Sequence, residues 1–356
     1  MGSAVVRPGD VVRQQQGELA EALVERQFAA QPELARRYGP TGRARCLQDA
    51  NHHLAYLADA MNAGDPALFT NYVGWAKVML GKRGIPMEDL ARYLDLTRTI
   101  LQDQLEGPSA DLAAAYLGAG LARLPSLPTE VPAYLCGDAP HGELARAYLG
   151  ALIGGERHQA SRMILDAVSS GTSVKDIYQH VFQTAQYEVG RRWQQNELSV
   201  AQEHYCTAAT QLIMSQLYPH VFATEKGDGR LVAACVAGDL HEIGMRMVTD
   251  FFEMDGWHTF YLGANMPAQG VVDTVVQRDA HVLAISATIS RHLQAVEELI
   301  QQVRVHPGCR GVKILVGGYP FLSLPDLWRK MGADGSAANA QDAVALGNRF
   351  LTHDGP

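Results

Sequence analysis

The hydrophobic pattern of the last third of this chain admits few folds. From residue 231 to 237 every side chain is apolar, as in a strand buried on both faces of a parallel sheet. An amphipathic stretch follows (Ile243, Met247, Phe251), then a short apolar run at 259–262. The alternation continues: helical 268–278, apolar 282–286, helical 293–305, apolar 312–316, helical around 324–331, apolar near 333–337, and helical 341–351. Five strands alternating with helices predict an open, doubly wound, five-stranded parallel α/β domain over 226–356. Such sheets bind ligands outside the carboxyl ends of their strands, so the strand-to-helix turns are where chemistry is expected.

Upstream the period changes to three and four. Leu19, Leu23, Val24 and Phe28, then Leu54, Leu57 and Met61, predict an all-helical domain over 17–123 with five or six helices. Asp65-Pro66 reads as an N-cap followed by proline at the first helical position, and Gly84-Ile85-Pro86 as a break. Residues 1–16 are polar and read as a mobile arm. Pro125, Pro128, Pro132 and Pro140 mark a linker over 124–142. Between it and the α/β domain, 143–225 read as a four-helix bundle, broken at Gly154-Gly155 and near Gly171, with Ser199 as N-cap of its last helix. The fold class expected is thus multi-domain, α followed by α/β.

Composition narrows the class. Thirty Lys and Arg against 38 Asp and Glu give a net charge of −8, which argues against a protein that wraps nucleic acid or an anionic membrane. No apolar run approaches the roughly 20 residues of a membrane span, and residues 1–16 lack the apolar core of a secretory signal. Cys46, Cys136, Cys206, Cys235 and Cys309 are scattered and odd in number, which fits a reducing cytoplasm better than a disulfide framework. Thirteen His are left to explain.

The first strand-to-helix turn reads Gly238-Asp239-Leu240-His241-Glu242-Ile243-Gly244. It is not G-x-G-x-x-G, so the dinucleotide fingerprint is absent. A His here can offer one ring nitrogen to a metal while the Asp holds the other. Taken alone, such a His more often caps or packs at a helix start. The spacing adds weight: Asp-x-His-x-x-Gly, 41 residues, Ser286-x-Thr288, 28 residues, Gly317-Gly318. This combination resembles the cobalamin-binding domain family, which includes methionine synthase, carbon-skeleton mutases and corrinoid methyl carriers. The resemblance covers about 230–356. It implies base-off binding with His241 below cobalt, Asp239 on its ring, Gly244 in the motif, and the nucleotide tail beside Ser286, Thr288, Gly317 and Gly318. Where some relatives have a networked Ser, this chain has His292.

The preceding bundle resembles the cap that covers the upper corrin face in that family. Trp193, followed ten residues later by Glu203-His204, is similar to the W-x9-E-H motif of adenosylcobalamin-dependent photoreceptors. The resemblance implies that Trp193 faces the adenosyl group, Glu203 its ribose hydroxyls, and that His204 orients them. Photoreceptors of this kind carry a His after the Trp; here Gln194 stands there. No helix-turn-helix with a basic recognition helix is evident, and no output-enzyme signature follows. The chain is similar to standalone photocobilins, which pair cobalamin with a bilin, and its N-terminal domain resembles globins in helix content. A bilin would need aromatic walls and cations, for which His52, His53, Tyr56, Tyr72 and Trp75, with Arg36, Arg37, Arg43, Arg45, Lys82 or Arg83, are candidates, and Cys46 for a thioether. Such residues are ordinarily core and solvated helix faces.

The expectation is therefore a cytoplasmic light sensor, not an enzyme. It would bind adenosylcobalamin, with biliverdin as a second chromophore, and act through a light-dependent homo-oligomer or a separate effector. The alternatives are a corrinoid methyl carrier working with separate methyltransferases, and a passive cobalamin-binding module.

Overall fold

The computed structural model describes residues 6–135 and 139–353, so Cys136 lies outside the described residues. The chain divides into two compact units, Met1–Val131 and Pro132–Pro356. The division falls inside the proline-rich segment.

In the first unit, the described part of the expected mobile arm is a helix. Pro8 opens helix α1 (Pro8–Gln14), Val12 is fully buried, and the Gly9 N–H donates to Asn62 Oδ1 at 2.9 Å. The polar residues that suggest a mobile arm are themselves what docks it on a later helix (Gly42–Ala63): Asn62 donates to Asp10, Arg13 pairs with Asp59, and Gln16 donates to the Asn51 carbonyl, all partners about 35 to 52 positions away. Gly9 lets the backbone come close enough for those contacts: a Cβ there would lie 2.1 Å from the Ala58 carbonyl oxygen. Six helices follow: α2 (Gln16–Ala30), α3 (Glu33–Tyr38), α4 (Gly42–Ala63), α5 (Pro66–Gly81), α6 (Met87–Gln104) and α7 (Pro108–Arg123). Asp65 caps α5 through the Ala67 N–H, as its sequence predicts. The start of the linker is pinned rather than loose. Buried Lys77 donates to the carbonyls of Leu124 (2.8 Å) and Leu127 (2.6 Å), satisfying its charge without a carboxylate.

In the second unit a bundle of α8 (Gly142–Ile153), α9 (Arg157–Ser169), α10 (Val174–Asp176), α11 (Gln183–Gln194) and α12 (Val200–Gln216) precedes a short α13 (Tyr218–Val221). A π-helical stretch, Ile177–Phe182, joins α10 to α11. Ser199 caps α12 in a full capping box with Gln202. The α/β part comprises β1 (Arg230–Cys235), α14 (Ile243–Met254), β2 (His258–Tyr261), α15 (Ala268–Gln277), β3 (Val282–Ser286), α16 (Leu293–Val305), β4 (Lys313–Gly317), α17 (Tyr319–Ser323), α18 (Leu327–Lys330), β5 (Gly335–Ser336) and α19 (Ala340–His353). All pairings are parallel, in the order β2-β1-β3-β4-β5. The crossovers run one way from β1 to β2 and the other way to β3. The crevice of this Rossmann-like sheet therefore opens between the carboxyl ends of β1 and β3. Among the described residues no helix is long and apolar enough to cross a membrane.

One core joins bundle and sheet. Tyr148, Phe182, Tyr178 and Phe251 form a chain of ring contacts at 5.3, 5.5 and 6.3 Å between centroids. Tyr178 also donates to Asp250 Oδ2 of α14 at 2.8 Å. Burial pushes the Asp250 carboxyl up to about 6. The folded state then binds a proton that the unfolded chain, with its lower pKa, releases. Asp250 thus stabilises the second unit as pH falls from about 6 to 4, by up to about 3 kcal/mol. In the first unit the sign is opposite. Burial pushes His53 down to about 4, so stability is lost as pH falls below the ordinary histidine range. Acidification should therefore shift the melting of the two units apart, and Asp250→Asn should flatten the response of the second. Parallel shifts in the wild type would refute this.

Candidate functional site

The β1–α14 turn folds around one carboxylate. Asp239 is fully buried and accepts from the His241 N–H (3.0 Å) and the Thr288 N–H (2.6 Å), the latter from the loop after β3. Its Oδ1 also meets His241 Nδ1 at 2.8 Å. Burial opposes ionisation of Asp239. The side chains of His241 and His292 and the two backbone N–H groups outweigh it and hold the carboxyl far below the usual range. An ionised carboxylate only accepts, so Nδ1 of His241 carries a hydrogen, and in the neutral imidazole Nε2 carries the lone pair. That imidazole is 59% exposed, and no hydrogen bond from the described residues engages Nε2. The Asp239 bond, against a smaller burial effect, raises the His241 pKa, and the Glu203 charge adds to the rise. Glu203 of α12 thus lies within electrostatic reach of His241, so bundle and turn face the same space.

The remaining loop residues lie at or just beyond the carboxyl ends of β3 and β4. Ser286 and Gly317 pair in register at the ends of β3 and β4. The Gly318 backbone is left-handed, φ 110°, and a Cβ there would lie 2.0 Å from the Ala287 carbonyl oxygen. At Gly244 and Gly317, by contrast, a Cβ would meet nothing within 4 Å. Those two glycines leave open space that the protein itself does not fill. Thr288 acts through its backbone, on Asp239. His292 Nδ1 is buried without a hydrogen-bond partner, 3.6 Å from Asp239 Oδ2, an electrostatic rather than hydrogen-bonding distance.

On the bundle side, Trp193 is partly buried near the end of α11, and Gln194 beside it is buried. Glu203 accepts from Thr207 Oγ1 at 3.2 Å and pairs with Nδ1 of His204, whose side chain is 75% exposed. Several contacts were not foreseen in the sequence. The Asn265 side chain accepts the Gly238 N–H at 2.7 Å and supports the turn. Gln211 of α12 donates to Glu242 Oε1 at 2.6 Å, and Tyr261 OH to Glu242 Oε2 at 3.0 Å, clamping the residue after His241 to the bundle. Polar residues at these positions carry no local signal, because their partners are distant in sequence.

In the first unit the structure gathers some of the bilin candidates. Tyr56 and Tyr72 stack at 3.8 Å, Tyr72 and Trp75 at 6.1 Å, and Tyr72 OH lies 2.8 Å from His53 Nδ1. Tyr93 of α6, not one of the bilin candidates, completes the cluster 5.0 Å from His53, its hydroxyl buried without a partner among the described residues. His52 is partly buried beside them. Three of the six candidate cations are engaged elsewhere: Arg37 pairs with Asp89, Lys82 with Glu130, and Arg83 donates to the Met79 carbonyl.

A single free imidazole nitrogen backed by a buried carboxylate, at a switch-point crevice with two unfilled glycine positions, suits a metal held mainly by a macrocycle. Among the described residues no group of three or more His, Cys, Asp or Glu is arranged to hold a metal by itself. Fold and site together have the form of a parallel α/β domain with a histidine-bearing turn at its switch-point crevice, preceded by a helical bundle. Residues 229–345 match a family described as the B12 binding domain, and 144–218 match a second B12 binding domain family. These matches indicate a corrinoid cofactor. A corrinoid protein of Desulfitobacterium hafniense (strain Y51) is 26% identical over 206 residues, 56% of this chain and 94% of that protein. Dimethylamine corrinoid protein 3 of Methanosarcina acetivorans is 31% identical over 128 residues, 36% of this chain but only 59% of its own length. The solved monomethylamine corrinoid protein of Methanosarcina barkeri superposes with a TM-score of 0.53 at 21% identity, over 59% of this chain and 99% of that one, and so shares the fold.

Proposed function

We propose that the second unit holds a corrinoid with its nucleotide base displaced and His241 in the lower axial position, and that the chain serves as the corrinoid carrier of a methyl-transfer system. The observation that carries the first part is His241 Nε2, free and aimed by Asp239 toward the space that Glu203 also faces. The second part is supported by the relatives, which are corrinoid proteins, two of them named for methylamines. When bound, the corrinoid would supply a cobalt that accepts and releases an alkyl group. The chain's own residues do the rest. Asp239 keeps the hydrogen on Nδ1 and the ring in one orientation, and Thr288 N–H holds Asp239 in turn. Gly244 and Gly317 leave room for the macrocycle and its tail. Trp193 and the α12 residues close the opposite side to water. A separate methyltransferase would be the partner.

A second reading, the light sensor, is favoured by one observation. Trp193 ends α11 and Glu203-His204 open α12, with Glu203 in reach of His241, as an adenosyl pocket requires. In that reading adenosylcobalamin is the cofactor, the response is a change of homo-oligomer or of effector contact, and the Tyr56–Tyr72–Trp75 stack with His52 and His53 would form the wall for biliverdin.

One experiment separates them. The purified protein is loaded with methylcobalamin or adenosylcobalamin and sized in the dark and after green light. A carrier retains the methyl form and keeps its hydrodynamic size. A change of size confined to the illuminated adenosyl form would overturn the carrier reading in favour of the sensor. A new red band on adding biliverdin would identify the second chromophore.

A further inference from the structure

Helix α11 buries a carboxylate that the corrinoid-binding reading leaves unused. Glu188 is 1% exposed, and its two oxygens take four donors. Oε1 accepts from Arg191 Nη2 (2.7 Å) and Arg192 Nε (2.9 Å); Oε2 accepts from Arg191 Nε (2.9 Å) and the Tyr134 N–H (3.1 Å). Burial opposes its charge, yet the two guanidinium groups and the Tyr134 N–H hold the carboxyl down at about 2. A buried charge with this many fixed donors has one geometry.

Both arginines act on the turn that follows. Arg191 reaches on to Glu197 Oε2 at 3.5 Å. The Arg192 carbonyl accepts the N–H groups of Glu197 (2.8 Å) and Leu198 (3.3 Å), and Asn196 between them is left-handed, φ 62°. This turn begins at Trp193 and leads into the Ser199 cap of α12, which places Glu203 and His204. The β1–α14 turn draws its hydrogen bonds from other residues: Asp239, Thr288 and Asn265.

We infer that Glu188 is a positioning residue: through Arg191 and Arg192 it fixes the α11–α12 turn, and so sets how Trp193 and Glu203 stand opposite His241 and which upper axial group the site admits. The inference rests on the corrinoid-binding reading and deepens it, since Glu188 itself touches neither corrin nor alkyl group. A loosened turn changes the upper face while the His241 side keeps its own support.

The test uses the full chain as wild type, Glu188→Gln and Arg191→Met. Dissociation constants for adenosylcobalamin and methylcobalamin are measured by absorbance, alongside the spectrum that reports the lower histidine and the melting temperature. The ratio of the two affinities is expected to shift by about fivefold or more in both variants, with the lower-histidine spectrum unchanged. If Glu188→Gln fails to fold, Arg191→Met decides, because its side chain is nearer the surface and Arg192 and Tyr134 still satisfy Glu188. Affinities that fall by a common factor, or an unchanged ratio, would overturn the inference and leave a structural role only. A wild type that binds neither cobalamin overturns the corrinoid-binding reading itself.

Discussion

Replacing His241 with alanine is expected to remove the lower axial ligand and cut corrinoid affinity by more than the 10- to 100-fold typical of losing an outer partner. The bound fraction should show the spectrum of a corrinoid without a histidine ligand. The fold should survive, because the His241 side chain is 59% exposed and its one side-chain hydrogen bond goes to Asp239. Asp239→Asn tests the second link. Asn presents a donor on one side where Asp239 now accepts three N–H groups, so either the Thr288 N–H or both His241 donors lose their partner. Affinity should fall by roughly 10- to 100-fold and the melting temperature should fall with it, since a buried unsatisfied group costs about 1–3 kcal/mol. The two variants are separable by proportion: His241→Ala should lose more ligand than stability, because Asp239 keeps the His241 and Thr288 backbone N–H groups, whereas Asp239→Asn loses both. Full cobalamin affinity in His241→Ala would end the axial-ligand reading.

The α/β architecture was legible because β1, β3 and β4 are short buried apolar runs separated by longer amphipathic stretches, an alternation that fits strands and helices in turn. The Asp239–His241 pair was legible for a similar reason: both members lie within one turn, so their contact is local. What the sequence concealed lies across long separations. The Thr288 N–H holds Asp239 from 49 positions away, a backbone contact that no spacing in the sequence announces. The Gln211–Glu242 clamp and the Glu188–Tyr134 bond join residues 31 and 54 apart. Gln and Glu are ordinarily surface residues, the Tyr134 contact is made by its backbone N–H, and nothing in the spacing marks either partner. Residues 8–14 were misread because the partners that dock Asp10 and Arg13 are similarly distant, and because Gly9, lacking a side chain, permits a close approach that only the fold reveals. The distinction between carrier and sensor is of another kind. On the proposed reading it would turn on the alkyl group held opposite His241, a ligand property that no spacing of Trp193, Glu203 and His204 encodes.

Gly317 and Gly318 provide the strongest contrast, because adjacent residues of one type are expected to respond oppositely. Gly318 is glycine for the protein's own sake. Its φ of 110° is strained for any side chain, and a Cβ would collide with the Ala287 carbonyl oxygen at 2.0 Å. Gly318→Ala must move the backbone that carries Ala287 and Thr288. The strained conformation alone costs about 1–3 kcal/mol. At roughly 2–4 °C per kcal/mol for a unit of this size, its melting temperature should drop by several degrees, and Thr288 should lose its hold on Asp239. Gly317 is different. A Cβ there meets nothing within 4 Å, and its backbone is not left-handed. If folding were the only demand, Gly317→Ala would be neutral or slightly stabilising, by about 0.4–1 kcal/mol through the unfolded chain. The space it keeps open is then space for a ligand. Gly317→Ala should leave the melting temperature unchanged or raised while weakening corrinoid binding, the tail being the group displaced. Calorimetry and an absorbance titration on the same preparation decide the matter. Wild-type affinity in Gly317→Ala would show that the open space beside Ser286 is not where the nucleotide tail passes.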